Sequence, residues 1–525
     1  MASIWRSKNN DDTDSTSPPG KRNREPNNTH NADEQSRLLS HPTQEGYLSP
    51  DDPAVTPYNL WSVRFLRYFS IIFASLTWVW WVLTFVSIFV TPPGLNSRGP
   101  GFYSLSFTSL TLSLLLTVLL FFSIPSKAAQ ITCLSLAVIL LIDTIIILSV
   151  HQIRIEEGWI GIISVVWILL MSIWALYTDR VVSWGKHGEE ERLTGRQEIR
   201  RTLFEWLAVF SSTIVLVAIA VVAFLLSCTL ILRASDSSLS APGKRYFVDG
   251  DKYRIHLFCS PQTNQNDDES IPTVLFESGD EAFMAGMVQI AENAVKNGSI
   301  SRYCYMDRPG IGWSDNSPSP FSAGMSTNAL SEALAYAGEE GPWVLVSAGI
   351  GSIYSRVFSS RHNGYISGIL MIDPLHEDFL DRLSSSKRGF MLWIKGIISP
   401  LGFQQVLGAI FKGRSREDRV YGRSAHQGGK YLKAKLQESL VAATTIKSEV
   451  QNAKTIQTQD VPLVVISSGI EVKRSNQWEE KQRDLSHLTN KLIGWDIVNE
   501  APSEVWNTKK GRDVIEKRLK SLVQT

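Results

Sequence analysis

The residues from Trp343 to Arg356, WVLVSAGIGSIYSR, read as an apolar strand that turns sharply through small residues into a helix. A turn of this kind is where a nucleophile elbow, G-x-S-x-G, presents a serine hydroxyl for acyl transfer. Here the five positions are Ser347, Ala348, Gly349, Ile350 and Gly351, so glycine stands where the nucleophile belongs. Glycine adopts strained backbone at little steric cost, and the turn can keep its shape while the hydroxyl is lost. Other chemistry-bearing residues are sparse. Cys133, Cys228, Cys259 and Cys304 show no metal-ligand spacing, which argues against structural zinc, and the sequence calls for no metal and no cofactor. Asp143 lies deep in an apolar run, where a charge is costly and functional by default. A single protonated Asp bonded to Thr144 or to a neighbouring helix accounts for it, since a transporter would show several such groups or broken helices.

These residues are carried by a chain of three unlike parts. The 525 residues average 44% hydrophobic, with 52 basic and 51 acidic side chains and a net charge of +1, so no nucleic-acid partner is implied. Residues 1–57 are polar and nearly free of aromatics, the composition of a disordered tail. The tail has no early apolar stretch for a signal peptide, and Asp11, Asp12 and Asp14 argue against a mitochondrial presequence. Within it, EQSRLL, with Glu34, Leu38 and Leu39, resembles the acidic dileucine signals by which adaptor complexes sort membrane proteins to vacuoles and lysosomes.

Residues 58–233 hold five segments long and apolar enough to span a bilayer, at about 65–90, 103–124, 131–150, 159–177 and 204–232. Arg64, Arg67, Lys127, Arg180, Lys186, Arg192, Arg196, Arg200 and Arg201 flank one side; only Arg98, Arg154, Arg233, Lys244 and Arg245 flank the other. That bias predicts a cytosolic N-terminus and a C-terminal domain in a lumen or outside the cell. The run Trp78, Trp80 and Trp81 is expected to pack or to anchor at the interface.

After a linker at 234–242, short β-branched and aromatic runs alternate with helical stretches, which implies a largely parallel sheet covered by helices. The expected strands are 244–249, 253–259, 272–277, 301–306, 342–347, 366–372, 462–467 and 494–498. Tyr305 to Asp315, YMDRPGIGWSD, carries Asp307, Arg308, Pro309, Gly310, Gly312, Trp313 and Ser314. With the elbow outline and the ILMIDP strand ending at Asp373-Pro374, this motif resembles the α/β-hydrolase fold of epoxide hydrolases and esterases, over residues 243–525, with 377–457 as an inserted cap. The whole chain is similar to an uncharacterised family of fungal multi-pass membrane proteins that join such a domain to a membrane block. The resemblance implies that the second and fourth strands are neighbours, which would let Cys259 and Cys304 be bridged. Asn297-Gly298-Ser299 is a glycosylation sequon and fits a lumenal placement.

A hydrolase of this fold needs a histidine base after the last strand, an acid to orient it and backbone donors for the oxyanion. The last loop, NEAPSEVW, has no histidine, and Pro502 and Ser503 stand at its place. Glu471 or Asp373 fits the acid's place. The oxyanion turn reads Glu277-Ser278-Gly279-Asp280, and the amides of Asp280 or Glu281 with that of Ile350 would form the hole. A relocated site would use Ser347, Ser352 or Ser278 with His487 or His376. Gibberellin receptors, which lack a working triad on this fold, bind a small molecule in the old pocket.

Three functions follow as expectations. The first is a non-catalytic membrane protein whose hydrolase-like domain binds a lipid, a small apolar ligand or a protein. The second is a membrane-bound lipid or ester hydrolase whose apolar cap stretch 390–411 faces the bilayer. The third is a transporter with a regulatory domain, resting on Asp143 alone. Vacuolar or other endomembrane placement is preferred over a mitochondrial one.

Overall fold

A computed structural model describes residues 57–194, 202–261 and 272–524; the tail with Glu34, Leu38 and Leu39 lies outside them. Five helices follow one another, α1 (Trp61–Phe89), α2 (Phe102–Leu120), α3 (Lys127–Ser149), α4 (His151–Thr194) and α5 (Leu203–Asp236), each long and apolar enough to cross a membrane. The expected fourth span ends at 177, but α4 continues to Thr194. Its polar last turns are supported by Lys186, which bridges Glu190 and Glu205. At its other end α4 is broken at Gly158, whose φ of 60° lies in the left-handed region.

Leu114, Leu136, Leu140, Val165, Ile168 and Leu226 form the centre of this block. Indoles stitch its helices together: Trp80 donates to Ser164 (3.0 Å), Trp81 to Ser109 (2.8 Å) and Trp167 to Thr77 (2.9 Å). Trp78 instead is exposed on the outside. Asp143 is fully buried and faces Ser227 of α5, whereas Thr144 donates to the Leu140 carbonyl.

The C-terminal part has the α/β-hydrolase fold. Its strands are β1 (Lys244–Val248), β2 (Tyr253–Cys259), β3 (Thr273–Glu277), β4 (Tyr303–Asp307), β5 (Trp343–Ala348), β6 (Ile366–Ile372), β7 (Leu463–Ser468) and β8 (Leu492–Val498). They lie in the order β1-β2-β4-β3-β5-β6-β7-β8, with β2 antiparallel to both neighbours and the others parallel. Crossover helices cover both faces, so central strands such as β5 are buried at every residue. β8 begins at Leu492, two residues before the expected start. Gly494 continues the strand because it leaves room for the Arg518 guanidinium, which would lie 2.6 Å from a Cβ there.

The β2–β4 register sets Cys259 opposite Cys304, and the two are joined as a disulfide. The motif after β4 folds around Asp307. Its carboxylate meets His256 Nδ1 at 2.9 Å and accepts from the Trp313 amide at 3.2 Å, while the Ser314 hydroxyl donates to its carbonyl at 2.5 Å. Gly312 sits against that carboxylate, leaving no space for a side chain.

Between β6 and β7 the chain forms a helical cap. Helices Ser386–Leu401 and Phe403–Phe411 meet at 51° about Gly402. This bent pair rests on the membrane block, Gly396 against Phe102 of α2 and Gly402 against Thr229 of α5. Phe403, Leu407, Ile410 and Phe411 of the second helix are exposed. The domain is tied to the same end of the block: Arg98 donates to the Asp251 and Lys252 carbonyls, Arg245 to the Gln152 side chain (2.7 Å), and Arg419 of the cap pairs with Asp236 (2.6 Å).

Candidate functional site

β5 ends at Ala348, Gly349 turns with φ 50°, and the helix Gly351–Arg361 begins at once. The elbow geometry is present. A Cβ on Gly351 would lie 2.5 Å and 2.6 Å from the carbonyl oxygens of Ser278 and Glu277, so only glycine lets the helix pass the β3 turn. A Cβ on Gly349 would meet nothing nearer than the Gly279 Cα at 4.0 Å. Space for a serine remains where none exists.

Beneath the elbow lies a cavity of about 250 Å³, lined by Gly349 and Ile350, by Ser278 to Ala282 of the oxyanion turn, by Asp373 and by Ser503. Leu375, Leu383, Trp478 and Trp506 complete its apolar wall. Nucleophile position, acid, base position and oxyanion turn therefore converge on one space. Asp373, at the end of β6, takes the acid's place; Glu471 does not line the cavity, and its amide caps on Ser468. The Asp373 backbone is left-handed, φ 43°, a strain typical of functional turns. Burial pushes its carboxyl up to about 6, against hydrogen bonds from the Ser468 amide (3.1 Å), Ser503 and the Trp478 indole (3.1 Å). Ser503 thus occupies the hydrogen-bonding station of a histidine, but has no basic nitrogen.

Charges crowd the turn side of the cavity. Arg308 of the β4 motif donates to the Gly279 carbonyl, lies 3.4 Å from Glu277 and covers the Tyr354 ring at 4.4 Å. Lys435, from the cap, pairs with Asp280 and with Glu438 (3.0 Å). Burial lifts the Glu277 carboxyl to about 7, with Arg308 opposing. Lys435 instead holds Asp280 down at about 2. The acids outnumber the bases here: Asp280, Glu281, Asp373, Glu438 and Glu504 line the cavity, against Arg308 and Lys435 beside it.

The structure separates the candidates for a relocated site. Ser278 lines the cavity, and among the described residues its hydroxyl has no hydrogen-bond partner. Ser347 is fully buried in β5 away from the cavity, and Ser352 spends its hydroxyl on the Gly349 carbonyl at 2.7 Å. His376 is bound to Asp484 (2.8 Å) and His487 is exposed at the end of the helix Asn476–Ser486; neither lines the cavity. Among the described residues no imidazole does. Two further histidines of the domain, His256 and His426, have polar or charged surroundings that no sequence motif marks. His256 forms a buried pair with Asp307, yet its Nε2 is bonded to the Pro242 carbonyl, so the pair fastens the sheet edge. His426 of the cap stacks on Tyr431 (4.4 Å between ring centroids) and lies in the fields of Asp280 and Glu504. No pattern in the sequence marks it, because the packing of the cap brings it there. Asn297 is exposed at the end of the helix Val288–Lys296.

Residues 26–259 match a family model described as a region of unknown function, DUF2417. An uncharacterised protein of Schizosaccharomyces pombe is 33% identical over 504 residues, covering 90% of this chain and 92% of its own. The chain belongs to the DUF2417 family. An uncharacterised vacuolar membrane protein of Saccharomyces cerevisiae is 27% identical to this DUF2417 protein over 327 residues, 53% of this chain and 50% of its own. Among solved structures, the Cif epoxide hydrolase from Acinetobacter nosocomialis is 14% identical, with a TM-score of 0.41 over 57% of this chain and 96% of its own. An esterase from Exiguobacterium antarcticum is 13% identical, with a TM-score of 0.35 over 54% of this chain and all of its own. The DUF2417 model ends at the last residue of β2, so the elbow of this DUF2417 protein lies beyond the matched region.

Proposed function

We propose that this membrane protein uses its hydrolase-fold domain as a non-catalytic binding module, with a small neutral or cationic apolar ligand in the cavity under Gly349. One observation carries the reading: Gly349 and Ser503 line the same cavity as Asp373, so nucleophile and base are both missing while the acid and the space remain. Loss of a triad member typically removes several orders of magnitude in rate. The cavity of about 250 Å³ suits a small ligand or the end of a lipid chain. A protein partner on the domain and a sorting adaptor at Glu34, Leu38 and Leu39 extend the same non-catalytic reading.

The N-terminus is cytosolic and the C-terminal domain lumenal in this reading, supported by the distribution of Lys and Arg and by the Cys259–Cys304 disulfide, which suits an oxidising compartment. A vacuolar or other endomembrane location is supported by the Saccharomyces cerevisiae relative, with mitochondria as the alternative. A shift on endoglycosidase treatment that disappears in Asn297→Gln tests the lumenal placement.

A serine hydrolase with a relocated nucleophile is the second reading, favoured by the unpartnered Ser278 hydroxyl in the cavity. Fluorophosphonate labelling of the purified full-length protein separates the two. The binding module stays unlabelled; labelling that Ser278→Ala abolishes would replace it with the hydrolase. A transporter rests on Asp143 alone and ranks last.

A further inference from the structure

A second cavity lies where the membrane block meets the cap, and its chemistry is opposite to that of the first. Its volume is about 150 Å³, and its walls come from α2, α4 and α5 on one side and from the β4 motif and the cap on the other. Charged groups in those walls are Arg233, Arg245, Arg419, Lys430, Glu156 and Asp236. The acids are already engaged. Arg233 binds Glu156 (2.9 Å) and Glu157 (2.7 Å), and Arg419 binds Asp236. Arg254, behind Arg245, is taken up by Asp315. Among the described residues Arg245 bonds the neutral Gln152 side chain and no carboxylate, while Lys430 makes a long ion pair with Glu156 (3.9 Å) and a contact with the Gly312 carbonyl (3.4 Å). Two cations therefore face the cavity with donors to spare, and the mutually tilted rings of Trp313 and Tyr421 (centroids 5.2 Å apart, planes at 37°) give one wall an aromatic surface.

We infer that this junction cavity holds the phosphate-bearing headgroup of an anionic phospholipid, bound by Arg245 and Lys430. A buried anion needs cations with donors left over, and these two supply them: Arg245 pairs with no carboxylate among the described residues, and Lys430 is held by one long ion pair. The position favours a lipid over free phosphate. The walls include the membrane-helix residues Tyr103 and Ile153 and the cap residues Ser399 and Gln405, which belong to the bent helix pair. On the same pair Phe403, Leu407, Ile410 and Phe411 are exposed beside α5, a surface along which acyl chains can lie while the headgroup turns inward. The elbow cavity is a separate space, so this inference does not depend on whether that one binds or catalyses.

The test uses full-length protein in detergent, stripped of lipid, titrated calorimetrically with dihexanoyl phosphatidylserine, dihexanoyl phosphatidylcholine and inorganic phosphate. Saturable binding of the phosphatidylserine is expected, with the zwitterionic lipid and inorganic phosphate at least roughly tenfold weaker. Arg245→Gln and Lys430→Gln should each weaken phosphatidylserine roughly tenfold, and Ala425→Trp, which fills the cavity without changing charge, should abolish it. Each variant's melting temperature is compared with wild type, and any one that folds suffices. Equal affinity for the two lipids, or wild-type affinity in a folded variant, overturns the inference. Inorganic phosphate binding as tightly as phosphatidylserine would replace the lipid with a free anion.

Discussion

Gly349 faces Gly279 across the elbow cavity, and a side-chain carbon built on it would come no nearer than 4.0 Å to the Gly279 Cα. Its neighbour Gly351 has no such freedom. Gly349→Ser should therefore fold, with a cost of about 1–2 kcal/mol from left-handed backbone, while Gly351→Ala should lose about 3 kcal/mol or more through collision with the β3 carbonyls. Thermal unfolding of the two variants checks the contrast, and similar losses in both would contradict it.

Asp373 already bonds the residue at the histidine's station, which makes the missing chemistry restorable. Gly349→Ser alone should stay unlabelled by a fluorophosphonate for want of a base. Gly349→Ser with Ser503→His should label, and adding Asp373→Asn should reduce that labelling by at least roughly tenfold. A silent double variant would mean that acid and base positions are not aligned for catalysis.

The Cys259–Cys304 bridge spans 45 residues of sequence. Closing a loop of that length contributes about 4 kcal/mol by restricting the unfolded chain. Cys259→Ser with Cys304→Ser should lower the melting temperature of the full-length protein, and a reductant should lower that of wild type but leave the double variant unchanged.

Glu277 and Asp373 set a pH dependence whose sign is unusual for carboxylates. With folded values near 7 and 6, both bind protons more tightly in the folded than in the unfolded chain. Their contribution is full below the ordinary carboxylate range near 4 and is lost as pH rises to about 7. Asp280, and Glu377 at the start of the cap, which against its burial is bonded by the Arg356 guanidinium (2.6 Å), are both held down at about 2 and oppose this at the acid end: their contribution is lost as pH falls below the ordinary range. Stability should peak in mildly acidic solution and fall toward neutrality. Melting temperatures between pH 5 and 7.5 should show the fall, and Glu277→Gln with Asp373→Asn should flatten it.

Arg419 bonds both oxygens of Asp236 and joins the cap to the end of α5. Both side chains are largely buried, so Arg419→Ala leaves a carboxylate without its partner, at a cost of about 3 kcal/mol. Limited proteolysis should cut residues 412–428 faster in this variant, and Asp236→Asn with Arg419→Gln should recover part of the protection.

Much of this arrangement is written in local pattern. Apolar runs long enough for a bilayer, β-branched strands and the turn at 347–351 report on their own surroundings, so the five helices, the sheet and the empty elbow are legible. Asp307 is legible for the same reason, since its partners Trp313 and Ser314 lie within seven residues. What depends on packing across distant segments is not. In sequence Glu471 and Asp373 are equivalent acids, each following a strand, and only the packing of their loops puts Asp373 alone of the two at the cavity. Arg308 holding the Gly279 carbonyl, Lys435 neutralising Asp280 and the approach of His426 all join residues remote in sequence, and no periodicity encodes such pairs.

The junction cavity draws Tyr103, Gln152 and Arg233 from the membrane helices and Trp313 and Tyr421 from the domain. Expressed without the helices, the domain would be a vessel with one side missing. Such a fragment would keep the space under Gly349 and lose the basic chamber beside it, so a ligand screen on the isolated domain would reach the first and miss the second.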